Sequence, residues 1–202
     1  LMSATGRVLL VRHGQTLSIL AKVWHGHTDT ALTKEGEGQA IMLGKYFHNY
    51  LSQVDAIYAS PLQRAHNTAK QIALNSGAVI ALDERLMEFG VGDFENLSFE
   101  VLQNEHNFFD QMMNDEHHRA PNGESRYEVG KRFVEAVEEK ADQHQGDNIV
   151  IVAHGISIGC GLAHWAHNDT AKWVDYRLGN TSVSEVNLAT GEVIYFNKSE
   201  HI

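Results

Sequence analysis

The chain has 202 residues, of which 43% are hydrophobic, and its formal net charge is −10. This length and composition are typical of one domain with a substantial core, and the acidic charge argues against a nucleic-acid partner, whose binding needs basic patches. No run is long and apolar enough to span a bilayer, so we expect no membrane partner. The single cysteine, Cys160, excludes an internal disulfide. Together with a first segment unlike a signal peptide, it predicts a cytoplasmic protein.

The first predicted strand runs directly into charged and nucleophilic residues. Residues 8–11 form an apolar run that is typical of a buried strand. Arg12 then offers a planar fork of N–H donors suited to an oxyanion, and His13 can act as a nucleophile or a proton carrier. Gly14 has no side chain, which suits close approach of the backbone to a ligand. A strand that ends in a solvated turn is the alternative that these residues alone leave open.

Strands and helices alternate in the segments that follow. Residues 17–30 show no regular period and predict a loop that begins with a short turn. Thr33 is placed to cap a helix whose apolar residues recur at helical spacing. Residues 54–59 predict the second strand, and Ser60-Pro61 follows it as a serine N-cap with proline at the first helical position. That helix carries Arg64.

The middle of the chain contains a short strand, a loop and a polar helical segment. The strand covers residues 79–82, and the loop covers residues 88–96. Residues 98–118 have a helical but polar pattern. Four apolar side chains in this segment could contact a substrate, but a packed helix face explains them better: Phe108, Phe109, Met112 and Met113.

The last third of the chain contains the most apolar strand. Ser125 is predicted to cap an amphipathic helix, and residues 148–153 then predict a fourth strand that is central to the sheet. This strand ends at His154, before a helix that begins near Ser157. Alternating segments on either side of residues 189–191 predict a β-hairpin.

This order of elements predicts an α/β sandwich with a largely parallel sheet. Parallel strands joined by crossover helices bring their carboxyl ends to one edge of the sheet, where ligands bind in open α/β folds. The residues that would converge there are Arg12, His13, Arg64 and His154. Two guanidinium groups and the N-termini of helices are suited to bind phosphate, and two imidazoles can supply a nucleophile and a transition-state donor.

Glu88 supplies a group that such a pocket otherwise lacks. A departing alkoxide needs a proton, and a carboxylic acid in a partly desolvated site can donate one. Considered without its neighbours, Glu88 is better explained as a solvated loop residue. The combination of groups favours the first interpretation.

Over nearly its whole length the chain resembles the histidine phosphatase superfamily, which has the phosphoglycerate mutase-like fold. The resemblance rests on the order and spacing of short motifs. They are RHGQT (12–16), LTKEG (32–36), SPLQRA (60–65), LME (86–88), GDFE (92–95), PNGES (121–125), VAHG (152–155) and NTS (180–182). It implies one domain over residues 1–202, a three-layer sandwich whose mostly parallel central sheet is flanked by helices, with residues 98–121 as an insertion that covers the active site.

The resemblance also implies a role for each residue of the site. His13 is the nucleophile that becomes phosphohistidine, and Glu88 is the proton donor. The phosphoryl oxygens are held by Arg12, Arg64 and His154. No metal or other cofactor is implied, because the arginines and imidazoles supply the charge neutralisation that a cation otherwise would.

Gln15 and Thr16 are implied to orient the loop after the first strand and to contact the substrate. Two positions depart from the family pattern. Ile19 stands where the family often has an asparagine, so one phosphate hydrogen bond is either missing or supplied by Ser18. Asn96 stands where a glycine often lies, which is expected to alter the loop beside the proton donor.

The resemblance covers two activities, which differ in the molecule that accepts the phosphoryl group from the phosphohistidine. If water accepts it, the enzyme is a phosphatase; if a retained phospho-acceptor accepts it, the enzyme is a mutase. Family mutases usually have a tyrosine near the catalytic glutamate, but here Phe89 follows Glu88. We therefore expect a phosphomonoesterase acting on a small-molecule phosphate ester, as a monomer or homodimer. The alternatives are a cofactor-dependent phosphoglycerate mutase and a non-catalytic phosphate-binding protein on the same fold.

Overall fold

One mixed β-sheet organises the protein in the computed structural model, which describes residues 6–51 and 53–202. Its strands are β1 (Val8–Arg12), β2 (Ala56–Ala59), β3 (Ile80–Leu82), β4 (Ile149–Ala153), β5 (Val183–Asn187) and β6 (Glu192–Lys198). They lie in the order β3-β2-β4-β1-β5-β6. The first four strands are parallel, whereas β5 runs antiparallel to β1 and β6 antiparallel to β5. The predicted mostly parallel sheet and C-terminal hairpin are confirmed.

Helices cover both faces of this sheet. The α-helices are α1 (Leu17–Ala21), α2 (Lys34–Tyr50), α3 (Gln63–Ser76), α4 (Phe99–Asn104), α5 (Phe108–Asn114), α6 (Arg126–Gln143) and α7 (Gly155–His167). Short 3-10 helices span Glu84–Leu86, Gly92–Phe94 and Thr170–Asp175. Across residues 6–51 and 53–202, no helix combines the length and apolarity needed to cross a bilayer. The expectation about a signal peptide concerns residues 1–5, which lie outside the described residues.

Successive side chains of the buried strands point to opposite faces and fill two separate cores. On one face, Leu9 of β1 packs in a cluster with Phe47 of α2 and Ile72 of α3. On the other face, Leu10 of β1 packs in a cluster with Phe133 of α6. Helices, sheet and helices therefore form three layers, as predicted.

Local capping signals place two of the helices correctly. Thr33 caps α2 with its side chain, and Ser125 caps α6 in a capping box with Glu128. The helix predicted near Ser157 begins two residues earlier, at Gly155.

The predicted serine cap of α3 is wrong. This helix begins at Gln63 rather than at Pro61, and the hydroxyl of Ser60 accepts only the N–H of Leu62, at 3.3 Å. The carboxylate of Asp29 accepts the N–H of Gln63 at 2.9 Å instead. The cap therefore comes from a distant loop, and a local sequence signal could not identify it.

Two other segments differ in detail from the predictions. The predicted loop at residues 17–30 contains the short helix α1. The helical pattern over residues 98–118 is divided into α4 and α5, and the residue before α5, Asn107, has a left-handed φ of 48° that interrupts the helix.

Candidate active site

A cavity of about 540 Å³ opens beside the carboxyl ends of β1 and β4. Arg12, His13, Arg64 and Glu88 line it. His154 is fully buried next to the cavity lining, and its ring centroid is 5.1 Å from that of His13. The structure thus brings together the five residues that the sequence predicted to meet at one edge of the sheet.

The hydrogen bonds of His13 fix which ring nitrogen is free. Its Nδ1 lies 2.7 Å from the carbonyl oxygen of Gly14, and because a carbonyl only accepts, Nδ1 carries the hydrogen. Nε2 then keeps its lone pair. Burial and the neighbouring Arg64 and Arg12 lower the pKa of His13 well below its usual range. The ring is therefore neutral at neutral pH, with a fixed orientation and a lone pair on Nε2.

The second imidazole is held in the complementary tautomer. Nε of Arg64 donates to Nδ1 of His154 over 3.3 Å, so the hydrogen of the neutral ring lies on Nε2. Burial, followed by the charge of Arg64, lowers the pKa of His154 well below its usual range. Within residues 6–51 and 53–202, Nε2 of His154 is buried with no hydrogen-bond partner. Such an unsatisfied donor suits an incoming oxyanion.

Arg64 is fixed by the loop that precedes α2. Its guanidinium donates to the carbonyl oxygens of Thr28 at 2.9 Å, His25 at 3.0 Å and Gly26 at 2.8 Å. Glu95 orders this loop by accepting the backbone N–H groups of residues 26–28 at 3.0–3.2 Å. The GDFE motif therefore supports an arginine that is distant in sequence, a role that the sequence analysis missed.

Arg12 reaches the cavity from the end of β1. One of its terminal nitrogens donates to the carbonyl oxygen of Leu178, while its Nε is buried without a partner among the described residues. Burial lowers the pKa of Arg12 and of Arg64. A bound anion would offset this desolvation, so the inner end of the cavity is suited to phosphate.

Glu88 lies at the N-terminus of α7. Its Oε2 accepts the N–H of Ile156 at 3.1 Å, and its Oε1 accepts those of Ser157 at 3.1 Å and Phe89 at 2.9 Å. These first-turn N–H groups of α7 therefore bind a carboxylate of the protein, in contrast to the prediction that helix N-termini bind the phosphate. Oε2 accepts one bond and keeps a lone pair for a proton.

Arg132 holds the loop that carries Glu88. Its guanidinium donates to the carbonyl oxygens of Arg85, Met87 and Glu88 at 2.7–2.8 Å, and it pairs with Glu124 at 2.6 Å. Burial raises the pKa of Glu124, but the bonds from Arg132 and from a histidine lower it to about 2. The sequence analysis missed this pair, although an arginine three residues after Val129 on the buried face of α6 is a visible signal.

Gln15 and Thr16 are placed differently from each other. The side-chain oxygen of Gln15 accepts the hydroxyl of Thr33 at 2.8 Å, and Gln15 does not line the cavity. Thr16 lines the cavity, but its hydroxyl is paired with that of Ser18 at 2.9 Å. Ser18 and Ile19 line the cavity as well, which agrees with the expectation that Ser18 could supply the hydrogen bond that an asparagine at position 19 would make.

Two backbone positions near the site have physical explanations. Asn96 has a φ of 68°, a left-handed conformation that asparagine tolerates better than most residues, which explains how it replaces glycine. Gly14 is required for close packing on α2, because a Cβ there would lie 2.6 Å from the carbonyl oxygen of Gly36.

The segment 98–121 contributes both to the core and to the cavity. Phe108 and Met112 are buried in a cluster with Trp24, which confirms the packed helix face for these two residues. Phe109 packs against the same cluster and also lines the cavity together with Phe99. Met113 is 38% exposed, so for this residue the prediction of a packed face is wrong.

A three-layer α/β sandwich with paired imidazoles and guanidinium groups at the carboxyl edge of its sheet is the architecture of phosphoglycerate mutase-like enzymes, the class that includes phosphatases and mutases. The chain belongs to the histidine phosphatase superfamily (branch 1), whose family model matches residues 8–196. The resemblance that the motifs indicated is therefore confirmed.

Some similar proteins are named as mutases and others as phosphatases. The chain is 34% identical to a protein called probable phosphoglycerate mutase GpmB in Escherichia coli O1:K1, over 93% of this chain and 90% of that one. It resembles a structure of phosphoserine phosphatase from Entamoeba histolytica with a TM-score of 0.86 and 27% identity, over 97% of this chain and 98% of the other. A mycobacterial glucosyl-3-phosphoglycerate phosphatase gives a TM-score of 0.82 and 27% identity, over 90% and 91%.

Proposed function

We propose that the protein is a phosphomonoesterase that releases phosphate from a small phosphorylated metabolite through a phosphohistidine on His13. One observation carries this proposal. Next to a neutral imidazole with a free Nε2, Nε of Arg12 and Nε2 of His154 are buried donors without partners among the described residues. A phosphoryl group is the ligand whose oxygens would satisfy both while its phosphorus meets the nucleophile.

In the first step, Nε2 of His13 attacks phosphorus and the bond between phosphorus and the alcohol oxygen breaks. Arg12, Arg64 and His154 stabilise the charge on the phosphoryl oxygens. The departing alkoxide takes a proton from the carboxyl group of Glu88, held on Oε2. The products of this step are the free alcohol and the phosphohistidine.

In the second step, water replaces the alcohol. Glu88, now a carboxylate, accepts a proton from the water as its oxygen attacks phosphorus. The bond between phosphorus and Nε2 breaks, which restores His13 and yields inorganic phosphate. The protein's own side chains carry every proton and charge in this scheme. We further propose that the chain acts as one domain and that residues 98–121 cover the site.

Phosphoglycerate mutase activity is the second candidate, because relatives 34% identical to the chain are called probable phosphoglycerate mutases. This activity requires the phosphohistidine to transfer its phosphoryl group to a second alcohol, which the site holds in place of water. The phosphatase names of the structurally similar proteins favour hydrolysis here. The third alternative, a non-catalytic phosphate-binding protein, would not need the nucleophile and the proton donor that we propose for His13 and Glu88.

The test is phosphate release from 4-nitrophenyl phosphate by the wild-type protein, by His13→Ala and by His48→Ala, an exposed histidine on α2. We expect His13→Ala to lose at least about a thousandfold in kcat with its circular dichroism spectrum unchanged, and His48→Ala to retain wild-type activity. Turnover by His13→Ala at the normal rate would assign the nucleophile to another residue, and no turnover by the wild type would favour a binding protein.

Two further experiments test for mutase activity and for a requirement for metal. A phosphoglycerate mutase assay with its bisphosphate activator should give interconversion far slower than phosphate release, and the reverse ratio would favour the mutase. Treatment with a chelator should leave phosphate release unchanged, because the proposed scheme assigns charge neutralisation to arginine and histidine. Activity lost on chelation and restored by a divalent metal would contradict that scheme.

A further inference from the structure

The part of the cavity beyond the phosphate end has walls of apolar and aromatic side chains. They come from segments far apart in the sequence and include Val23, Trp24, Phe99, Phe109, Trp173 and Tyr176. We call this part the outer chamber. The residues that face this space therefore come from several elements: the loop after α1, the helices α4 and α5, and the 3-10 helix after α7. That space is where the alcohol part of a phosphate ester would lie.

The wall of the outer chamber is held in place by the protein itself. Trp24 is buried, and its indole N–H donates to the carbonyl oxygen of Phe89 at 3.1 Å. Its ring centroid lies 6.1 Å from that of Phe99 and 6.0 Å from that of Phe109, and these two rings meet edge to face at 6.0 Å. The backbone N–H of Phe99 donates to the carbonyl oxygen of Lys22 at 2.9 Å. The apolar surface is therefore preformed, as in many ligand pockets.

The outer chamber carries little charge. Beyond the groups assigned to phosphoryl transfer, the ionisable side chains among the described residues that line the cavity are His25, Tyr176 and Arg177. Burial raises the pKa of Tyr176, which favours its neutral phenol. Burial and the charge of Arg64 lower the pKa of His25, which favours the neutral ring. Arg177 is exposed. A carboxylate or second phosphate in the outer chamber would find as donors Arg177 and the indole N–H of Trp173, which has no partner among the described residues, and would otherwise lie against apolar and aromatic side chains. Such surroundings are less favourable for a compact polyanion than for an apolar group.

From this arrangement we infer that the substrate is a phosphate monoester whose alcohol part carries an apolar group of about the size of one ring, rather than a compact hydroxy acid or polyol phosphate. The inference rests on the proposed phosphatase function and specifies its substrate class. The cavity volume of about 540 Å³ is sufficient for a phosphoryl group and a ring together. Apolar contact with the walls would add binding energy that a polar three-carbon alcohol cannot provide.

The test compares esters of primary alcohols, so that the leaving groups differ little in chemistry. The substrates are 2-phenylethyl phosphate, glycerol 1-phosphate and 3-phosphoglycerate, and the measured quantity is kcat/KM for phosphate release. We expect a value at least tenfold higher for 2-phenylethyl phosphate than for either polar ester. Phe99→Ser should lower this ratio at least fivefold, because Phe99 is 40% exposed and can be changed without emptying the core.

Matched variants separate contact with the substrate from a general effect. Phe99→Leu keeps an apolar wall and should retain most of the ratio. Tyr127→Ser removes an aromatic ring of similar exposure, 41%, that does not line the cavity, and should leave the ratio unchanged.

Four outcomes would overturn the inference. If the wild type hydrolyses the polar esters as well as 2-phenylethyl phosphate, or if Phe99→Ser keeps the wild-type ratio, the substrate class is wrong while the phosphatase proposal stands. If the wild type prefers 3-phosphoglycerate over 2-phenylethyl phosphate and Arg177→Gln loses this preference, the outer chamber binds an acidic substrate instead. If none of the esters is hydrolysed, both the substrate class and the proposed function fail.

Discussion

At the inner end of the cavity, side chains are held by hydrogen bonds, whereas at the outer end they are held by ring contacts. Arg64 donates to three carbonyl oxygens and to His154, and the carboxylate of Glu88 accepts three N–H groups. The outer chamber instead depends on the packing of Trp24 against Phe99 and Phe109. Directional bonds specify a geometry within fractions of an ångström, whereas ring packing specifies a shape and a polarity. The inner end is thus suited to chemistry and the outer end to selection of the substrate.

The largest effect in this comparison is expected from Glu88→Gln, which keeps the size of the side chain but removes the transferable proton. We expect kcat to fall about a hundredfold or more for alkyl phosphates, whose leaving groups need the proton. For 4-nitrophenyl phosphate, whose leaving group is stable as an anion, the loss should be about tenfold or less.

The measurement is kcat for a series of esters with increasingly poor leaving groups, and Glu84→Gln, an exposed glutamate in the 3-10 helix just before Glu88, is the control. Equal losses for good and poor leaving groups would assign Glu88 a binding role.

A smaller effect is expected when the support of Glu88 is removed. Arg132→Gln deletes the bonds to three carbonyl oxygens and the ion pair with Glu124, which should lower the free energy of unfolding by about 3 kcal/mol. Misplacement of the proton donor should lower kcat for alkyl phosphates about tenfold, with less loss for 4-nitrophenyl phosphate.

Lys131→Gln removes one charge from the exposed side of the same helix and is the matched control. Arg132→Lys should restore part of the activity. A loss for Arg132→Gln that is independent of the leaving group would indicate a structural role only. In that case the loss would also add to that of Glu88→Gln in the double variant.

The smallest effect concerns the stability of the inner end in acid. The folded protein lowers the pKa of His13 and His154, so below about pH 6.5 the unfolded chain binds protons that the folded state does not. The free energy of unfolding should therefore fall as the pH drops below 6.5, by up to about 1.4 kcal/mol per pH unit for each histidine until its folded pKa is reached.

Urea unfolding between pH 7 and pH 5 measures this slope above the range in which most carboxylates titrate. In His154→Asn the slope should be shallower than in the wild type, because the variant lacks one of the histidines whose pKa is lowered most on folding. An equal or steeper slope in the variant would show that His154 is protonated in the folded state.

The sequence predicted the inner end better than the outer end, for a physical reason. Arg12 is the last residue of β1 and His154 directly follows β4, and the topology of a parallel sheet places such strand ends at one edge. The start of α3 was predicted wrongly because its cap, Asp29, lies in another segment. Arg132 and Glu95 act on loops far from them in sequence, so that no local pattern shows their roles.

The outer chamber depends on contacts that no strand end determines. Trp24, Phe99 and Trp173 come from three segments whose approach follows only from tertiary packing. Sequence patterns favoured a helix face for the aromatic residues of α5, and for Phe108 this was correct. Its neighbour Phe109 points into the same cluster and also lines the cavity, and helical spacing alone cannot separate these two environments.

The central claim is that a phosphoryl group passes through Nε2 of His13. The most direct measurement is to mix the protein with a phosphate ester, stop the reaction within one turnover, and locate covalently bound phosphate by mass spectrometry of peptides at alkaline pH. We predict a single phosphoryl group on the peptide that contains His13, and none in His13→Ala. Turnover without any phosphorylated peptide, or phosphate bound to a different residue, would contradict the account.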